Sequence, residues 1–242
     1  MDEPTVESAP AQGLTLEFGK CCICSFFGRM GAGKSQMIKS LTYQASKCGV
    51  YSWILVMCPT KFNNDYDYLP DEAVVAFSPD KFLKVFEDIG RYRSQCQAKG
   101  KKADLRRGLI VLDDTVGSNQ KLMYRPAFVN AFVTCRHFGP IDLWTTAQYY
   151  TGVPPVVRSL TNYCFVWRTQ GQGQLKGMYT FAGGMCENYK HFRQLLNDTT
   201  KKPYSCLVYR SNQPDFESSY ISFSPEMAPN FKLNYKLPFK IS

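Results

Sequence analysis

The residues of this sequence best suited to chemistry form one short segment, Gly28-Arg29-Met30-Gly31-Ala32-Gly33-Lys34-Ser35. It matches the pattern G-x-x-x-x-G-K-S/T, whose glycines let backbone N–H groups turn inward around phosphate oxygens. The start of the following helix adds a dipole that favours anions. We therefore predict a nucleotide site in which Lys34 reaches the β- and γ-phosphates and Ser35 offers its hydroxyl to Mg²⁺. The residues predicted to line it are Gly28, Arg29, Met30, Gly31, Ala32, Gly33, Lys34, Ser35 and Gln36.

Predicted elements flank this segment on both sides, as the pattern requires. Cys21 to Phe27 is short and apolar, which indicates a strand. Lys34 to Lys47 carries apolar residues at three- and four-residue intervals, which indicates a helix with one buried face. The alternative is a glycine turn that matches by chance, and such a turn would not need a strand and a helix at these positions.

A pair of carboxylates follows a second apolar segment. Gly108 to Leu112 is predicted to be a strand, and it leads directly into Asp113 and Asp114. In P-loop nucleoside triphosphatases a hydrophobic strand delivers a carboxylate beside the phosphate loop, where it holds the Mg²⁺ shell. We therefore predict that Asp113 lies on the metal side and that Asp114 orients or deprotonates the attacking water. The alternative is that the two acids only end the strand in a turn.

Strands and helices alternate along the chain, and this order would position both motifs. We therefore expect an α/β fold, a three-layer sandwich with a mainly parallel sheet and right-handed crossovers. Antiparallel edge strands are expected near the C-terminus, and the glycines after Arg168 indicate loops or a short helical insertion. Further strands are predicted at Tyr51–Cys58, Ile141–Ala147, Tyr163–Arg168, Tyr204–Arg210 and Ser219–Phe223, and further helices from Ser78-Pro79, at Pro126–His137 and at Glu187–Leu196.

Length and composition favour one intracellular domain. The 242 residues can bury a sizeable core, and no apolar run approaches the roughly 18 residues of a membrane span. The acidic N-terminus lacks the pattern of a signal peptide, so no membrane insertion is expected. We divide the chain into an arm over 1–17, an ATPase domain over 18–224 and an extended tail over 225–242.

The ten cysteines lie in apolar stretches, which favours reduced core thiols over disulfides. Cys21 and Cys24 form a C-x-x-C pair, but the pair lies inside the first strand. No second pair follows at zinc-finger spacing, so we expect neither metal nor redox chemistry there.

The net charge of +9 is unevenly distributed. A solvated loop is one interpretation of the main basic cluster, and a nucleic-acid surface is the other, because clustered cations release counterions from a phosphate backbone. Further basic residues lie at Lys201-Lys202 and in the C-terminal tail. The main cluster comprises Arg91, Arg93, Lys99, Lys101, Lys102, Arg106 and Arg107.

Taken in order, these motifs resemble those of the poxvirus-type genome-packaging ATPases of the FtsK/HerA superfamily. The resemblance covers roughly Cys21 to Arg168 and includes the strand end Thr145-Thr146-Ala147-Gln148 and the pair Arg136-His137 before that strand. It implies a RecA/FtsK-like fold with ATP and Mg²⁺ as cofactors. In that superfamily the polar residue at this strand end senses the γ-phosphate, so Gln148 would take that role. The alternative is that Gln148 only caps the strand.

The resemblance also implies a cation supplied by a neighbouring subunit. Arg136 and Arg158 are the two candidates on the required side of the sheet, and Arg136 is favoured because the resemblance places an arginine before this strand. Either arginine could instead contact DNA or form a structural ion pair. Aspartate at 114, where related translocases often carry glutamate, leaves the identity of the base open.

The activity implied by the resemblance is ATP hydrolysis coupled to movement of double-stranded DNA through a homo-oligomeric ring. Capsid or portal-vertex proteins would be partners, and the protein would act in the host cytoplasm at viral assembly sites or in association with the virion. The alternative is a nucleotide kinase or another small-molecule phosphotransferase, which also combines a phosphate loop with this length. A GTPase-like switch is disfavoured because no N-K-x-D motif follows the Gly108–Leu112 strand.

Overall fold

The structure is a computed structural model that describes residues 21–59, 64–101, 107–115 and 123–238. The predicted N-terminal arm over 1–17 lies outside the described residues. So do Lys102 and Arg106 of the basic cluster, part of the polar segment between Cys58 and Pro70, and residues 239–242 of the predicted tail.

The described strands form one eight-stranded sheet in the order β3-β2-β4-β5-β1-β6-β7-β8. Pairing is parallel from β3 through β6 and antiparallel for β6 with β7 and β7 with β8. This confirms the predicted fold class, including the antiparallel strands near the C-terminus. The strands are β1 Ile23–Phe27, β2 Trp53–Cys58, β3 Val74–Ala76, β4 Gly108–Leu112, β5 Ile141–Ala147, β6 Tyr163–Val166, β7 Cys206–Arg210 and β8 Tyr220–Phe223.

Helices cover both faces of the sheet and make the three layers. The helices are α1 Lys34–Lys47, α2 Pro79–Ala98, α3 Pro126–Phe138, α4 Pro155–Ser159, α5 Gln172–Ala182, α6 Tyr189–Thr199 and α7 Phe216–Ser219. Short 3₁₀ turns lie at Asn64–Tyr66, Asp71–Ala73 and Tyr150–Gly152. α1 packs on one face with its buried residues Met37, Ile38 and Leu41. The buried residues of α2, α3, α5 and α6 join the core of the opposite face.

β2 and β4 are apolar throughout because both of their faces are covered. Residues of β2 alternate between the two cores, with Leu55 and Met57 on one face and Ile54 and Val56 on the other. Such continuous apolar runs are typical of parallel strands in α/β proteins. Because β1, β4, β5 and β6 pair in parallel, their carboxyl ends meet at one edge of the sheet, which we call the loop edge.

The last described segment packs on the face that α1 covers. Phe231 lies between two tyrosine rings, with centroids 4.9 Å from Tyr43 and 4.8 Å from Tyr68. The backbone N–H of Leu233 donates to the carbonyl of Tyr68 at 2.8 Å. The described part of the tail, residues 225–238, contains neither helix nor strand, and these contacts make it part of the folded body.

The described residues contain no helix that combines the length and the apolar character needed to cross a bilayer. All ten cysteines lie in the described part of the chain as free thiols. Seven of them are buried, as the core interpretation predicted.

Candidate nucleotide-binding site

The phosphate loop leaves β1 at the loop edge and turns directly into α1. Gly31 and Gly33 have φ values of 75° and 100°, which favour glycine. The N–H of Gly28 donates to the carbonyl of Ala147 at the end of β5, at 3.2 Å. This bond ties the start of the loop to the strand that carries Gln148. Two of the predicted contact residues are exposed: Met30 lies in the loop, and Gln36 lies in the first turn of α1.

The Lys34 ammonium group lies inside the loop. Its Nζ donates to the carbonyls of Gly28 at 2.8 Å and of Arg29 at 3.2 Å. Burial lowers the pKa of Lys34, and the charges of Asp114 and Asp113 oppose that shift. The lysine and the two carboxylates predicted from the sequence therefore share one electrostatic environment.

Asp113 is 8% exposed at the end of β4. Thr146 Oγ1 donates to its carboxylate at 2.7 Å. Burial raises the pKa of Asp113, while the Thr146 hydrogen bond and the nearby Tyr66 hydroxyl lower it. The buried Tyr66 hydroxyl influences this carboxylate, although its geometry falls short of a full hydrogen bond.

Asp114 is exposed and has a φ of 48°, which is unusual for a residue other than glycine. Its N–H donates to Thr146 Oγ1 at 2.8 Å. Gln148 Nε2 donates to both of its carboxylate oxygens, at 3.3 and 3.4 Å. Thr146 therefore connects the two aspartates through one hydroxyl, and Gln148 extends the network into solvent.

The donor set suits Mg²⁺ better than a transition metal. The described residues contain no cluster of three or more His, Cys, Asp or Glu side chains that could hold a metal alone. Mg²⁺ needs less from the protein, because it keeps waters and is bound through one or two carboxylates plus the phosphates of its substrate. Asp113 and the Ser35 hydroxyl, in the first turn of α1, are oxygen donors of this kind.

The structure corrects the predicted placement of Arg136. Arg136 lies in the last turn of α3, which leads into the amino end of β5. It is therefore at the edge of the sheet opposite the loop edge and cannot reach the phosphate loop of its own chain. Arg158, in α4, is half-buried, and its guanidinium lies 5.0 Å from the centre of the Tyr150 ring.

Sequence reasoning missed three side chains at the loop edge. The sequence motif includes Thr146 only as part of a strand end, although a hydroxyl two residues before Gln148 is a possible partner for the acid pair. Tyr66 ends a short 3₁₀ turn after β2, and no motif in the sequence singles out its hydroxyl. Arg168, the second residue after β6, lines a cavity of about 250 Å³ together with Arg193.

The described residues of the basic cluster lie away from this site. The last turns of α2 are exposed and carry Arg91 and Arg93, and Lys99 and Lys101 follow them. Arg107 lies directly before β4. Its carbonyl accepts a hydrogen bond at 2.8 Å from the N–H of Ser52, which lies directly before β2. We call these five residues the basic end of α2. They lie at the amino edge of the sheet, opposite the phosphate loop.

No protein-family model and no curated protein matches this sequence. Solved structures are similar in fold. The genome packaging NTPase B204 from Sulfolobus turreted icosahedral virus 2, in complex with sulfate, is 20% identical at a TM-score of 0.56, covering 80% of this chain and 92% of that chain. Its complex with ATP-gammaS is 16% identical at a TM-score of 0.56, covering 85% of this chain and 98% of that chain.

A second kind of protein shows the same fold. The conjugation coupling protein TcpA of pCW3, in a monomer form with ATPgS, is 15% identical at a TM-score of 0.54, covering 87% of this chain and 62% of that chain. Similarity at these identities establishes the fold, which is that of P-loop nucleoside triphosphatases.

Proposed function

We propose that this chain is an ATP-hydrolysing DNA translocase of the FtsK/HerA superfamily, acting as a viral genome-packaging motor of the poxvirus type. The observation that carries the proposal is the hydrogen-bonded group of Asp113, Thr146, Asp114 and Gln148 beside Lys34. A site that only bound a nucleotide would need the loop and the lysine. The additional carboxylate and amide, held together at the loop edge, suit a site that also positions a water for hydrolysis.

In this mechanism Lys34 exchanges its two carbonyl partners for the β- and γ-phosphate oxygens of ATP. The loop N–H groups and the start of α1 stabilise further negative charge. Asp114 accepts a proton from, or orients, the water that attacks the γ-phosphorus in line. Gln148 can hydrogen-bond both this water and a phosphate oxygen, so its partners differ before and after hydrolysis.

Ser35 and Asp113 would hold Mg²⁺ at this site. The ion supplies charge neutralisation for the phosphates. Thr146 fixes the Asp113 carboxylate through its 2.7 Å hydrogen bond, which restricts the direction in which the carboxylate can offer its oxygens.

Double-stranded DNA is the proposed substrate for movement. The net charge of +9 and the exposed basic end of α2 support it, because neither is needed to bind one nucleotide. B204, which shares the fold, is named as a genome packaging NTPase. We further propose a homo-oligomeric ring, partners among capsid or portal-vertex proteins, and action in the host cytoplasm or on the virion.

An ATPase titration with and without duplex DNA at low salt tests the activity. Wild type should hydrolyse ATP faster with DNA, and Lys34→Ala should be inactive, because its amine is the cation within the loop. Lys47→Ala, in the exposed last turn of the same helix, is the matched control and should keep wild-type activity. Hydrolysis that ignores DNA would contradict a translocase, and a diphosphate product from added nucleoside monophosphate would indicate a kinase.

The ring is tested separately by mixing variants. An arginine acting on a neighbour's nucleotide is rescued when its alanine variant is mixed with Lys34→Ala, since one intact composite site can then form. Arg136→Ala is expected to show this rescue, because the resemblance to FtsK/HerA ATPases places an arginine before β5. Since Arg136 cannot reach its own loop, it would have to act on the nucleotide of a neighbour. Arg158→Ala serves as the comparison, and absence of rescue for both would exclude these two arginines as trans residues.

A further inference from the structure

Tyr204 lies against the phosphate loop on the side away from the carboxylates. A Cβ atom added to Gly33 would come within 2.9 Å of Tyr204 Cδ1, closer than real Cβ contacts allow. The loop glycine and the ring are therefore in direct contact. The rest of Tyr204 is open, with 60% of the residue exposed.

The backbone at Tyr204 is held in a costly conformation. Its φ is 62°, in a turn closed by the Ser205 N–H and the Lys202 carbonyl at 3.2 Å. Glycine or asparagine is the usual residue where a turn needs a positive φ, and a bulky side chain is an outlier there. Such strain persists only where the surroundings impose it, and it is concentrated at ligand sites.

Trp167 holds the turn in place. Its indole Nε1 donates to the carbonyl of Tyr204 at 3.2 Å, and Trp167 itself is 3% exposed. A Cβ on Gly28 would lie 3.3 Å from Trp167 Cε3, so the indole also packs on the start of the phosphate loop. One buried side chain thus fixes the position of Tyr204 relative to the loop.

The sheet order gives the direction in which a bound nucleotide must run. The carboxylates and Gln148, which face the γ-phosphate, follow β4 and β5 on one side of β1. Trp167 follows β6, and Tyr204 precedes β7, on the other side of β1. Because a triphosphate is a linear chain, its nucleoside end leaves the loop on the β6–β7 side.

From this geometry we infer that the Tyr204 ring is the platform on which the base of the bound nucleotide stacks. The inference rests on the proposed function and adds the side chain that contacts the base of the nucleotide. A ring stacks on any base through its π-face, so the larger purines gain more contact than pyrimidines. Adenine and guanine nucleotides should bind alike at this contact.

Equilibrium titrations with AMPPCP and with inorganic tripolyphosphate test the inference on the full chain. Tyr204→Asn and Tyr204→Gly both accept a positive φ but remove the ring. They should bind AMPPCP roughly tenfold more weakly than wild type, within the range of one base–aromatic stack, and should bind tripolyphosphate unchanged. Tyr204→Phe should behave as wild type, because the ring and not the hydroxyl forms the platform.

The control for the backbone is Asn212→Gly, at another positive φ of 64° between β7 and α7, which should leave both affinities unchanged. Equal AMPPCP binding by wild type and Tyr204→Asn would overturn the inference while leaving the ATPase proposal intact. Tighter binding of both ligands to the ringless variants would mean that the ring obstructs the loop, which also overturns it. A wild type that binds neither ligand would remove the proposed function and this inference together.

Discussion

At the residue scale, one threonine hydroxyl connects the two aspartates, Asp113 and Asp114. Thr146 donates to Asp113 and accepts from the N–H of Asp114, so both capacities of the hydroxyl are used. The neighbouring Thr145 is also fully buried, but its Oγ1 has no hydrogen-bond partner among the described residues. The two adjacent threonines therefore differ in whether their hydroxyls belong to the site.

Thr146→Val should lower ATPase activity by about 10- to 100-fold, the usual cost of losing a residue that orients a metal ligand. It should also reduce the free energy of unfolding by about 1–3 kcal/mol, because a buried carboxylate loses its donor. Activity assays and denaturant unfolding measure the two effects.

Thr145→Val is the matched control, since it makes the same exchange one residue earlier. Removing a hydroxyl that has no partner should leave the free energy of unfolding unchanged or slightly higher. ATPase activity should stay at the wild-type level. Equal losses for the two variants would mean that any valine disturbs the end of β5, and the positioning role of Thr146 would have to be abandoned.

Asp113→Asn should raise the free energy of unfolding at neutral pH while abolishing hydrolysis. Burial raises the pKa of Asp113 above 3.8, so the native state holds its proton more tightly than the unfolded chain does. The wild type therefore loses stability as pH rises from about 4 through the folded-state pKa. Unfolding curves across that range should show a growing advantage for the asparagine variant, and an advantage that shrinks with rising pH would reverse this assignment.

At the scale of elements, the C-terminal tail acts as part of the core. Phe231→Ala should reduce the free energy of unfolding by roughly 1–3 kcal/mol, because it removes packing against two aromatic rings. Met227→Ala, in the same tail but 91% exposed, should change it by less than about 0.5 kcal/mol. Denaturant unfolding compares the two. Matching losses would mean that the tail stabilises through its backbone alone.

Elements with strong apolar periodicity were predictable, and those set by tertiary packing were not. The glycines at 171, 173, 183 and 184 predict loops or a short helical insertion, and the structure has the helix α5 between them. In the structure a Cβ on Gly177 would come within 1.8 Å of the Tyr150 ring, so this glycine is there for close packing. β3 was not predicted at all, since three residues carry no periodicity and form a strand only by pairing with β2.

The same distinction applies to the candidate site, where some residues were predictable from local sequence patterns and others were not. The positions of Lys34, Asp113, Asp114 and Gln148 followed from motifs and strand ends, because parallel strands bring their carboxyl ends to one edge. Thr146 and Tyr204 act through contacts between distant segments, which no local pattern encodes. The edge on which Arg136 lies could also have been inferred, since the end of a crossover helix returns to the amino edge of a parallel sheet.

At the scale of the whole molecule, the basic end of α2 and the phosphate loop lie at opposite edges of the sheet. Lys99→Ala/Lys101→Ala, in the basic end of α2, should weaken duplex DNA binding. It should also reduce the slope of log affinity against log salt by about two, or roughly one for each phosphate that a lysine no longer neutralises. Binding measured across a salt series gives this slope.

Lys176→Ala/Lys190→Ala, on α5 and α6, removes the same charge elsewhere and should leave the slope near wild type. Basal ATPase activity without DNA should be unaffected by either pair, since all four lysines are exposed and none belongs to the phosphate loop. Identical slopes for the two pairs would show that DNA responds to net charge and not to this surface.

The position of β1 in the middle of the sheet has a consequence for folding kinetics. The N–H of Cys22 bonds to Asp142, 120 residues away, and the N–H of Ile23 bonds to Asn162, 139 residues away. Contacts between such distant residues must wait for large loops to close, which slows folding. On a ribosome the phosphate loop is therefore synthesised early but completed late, because its supporting strands β5 and β6 emerge more than a hundred residues after it.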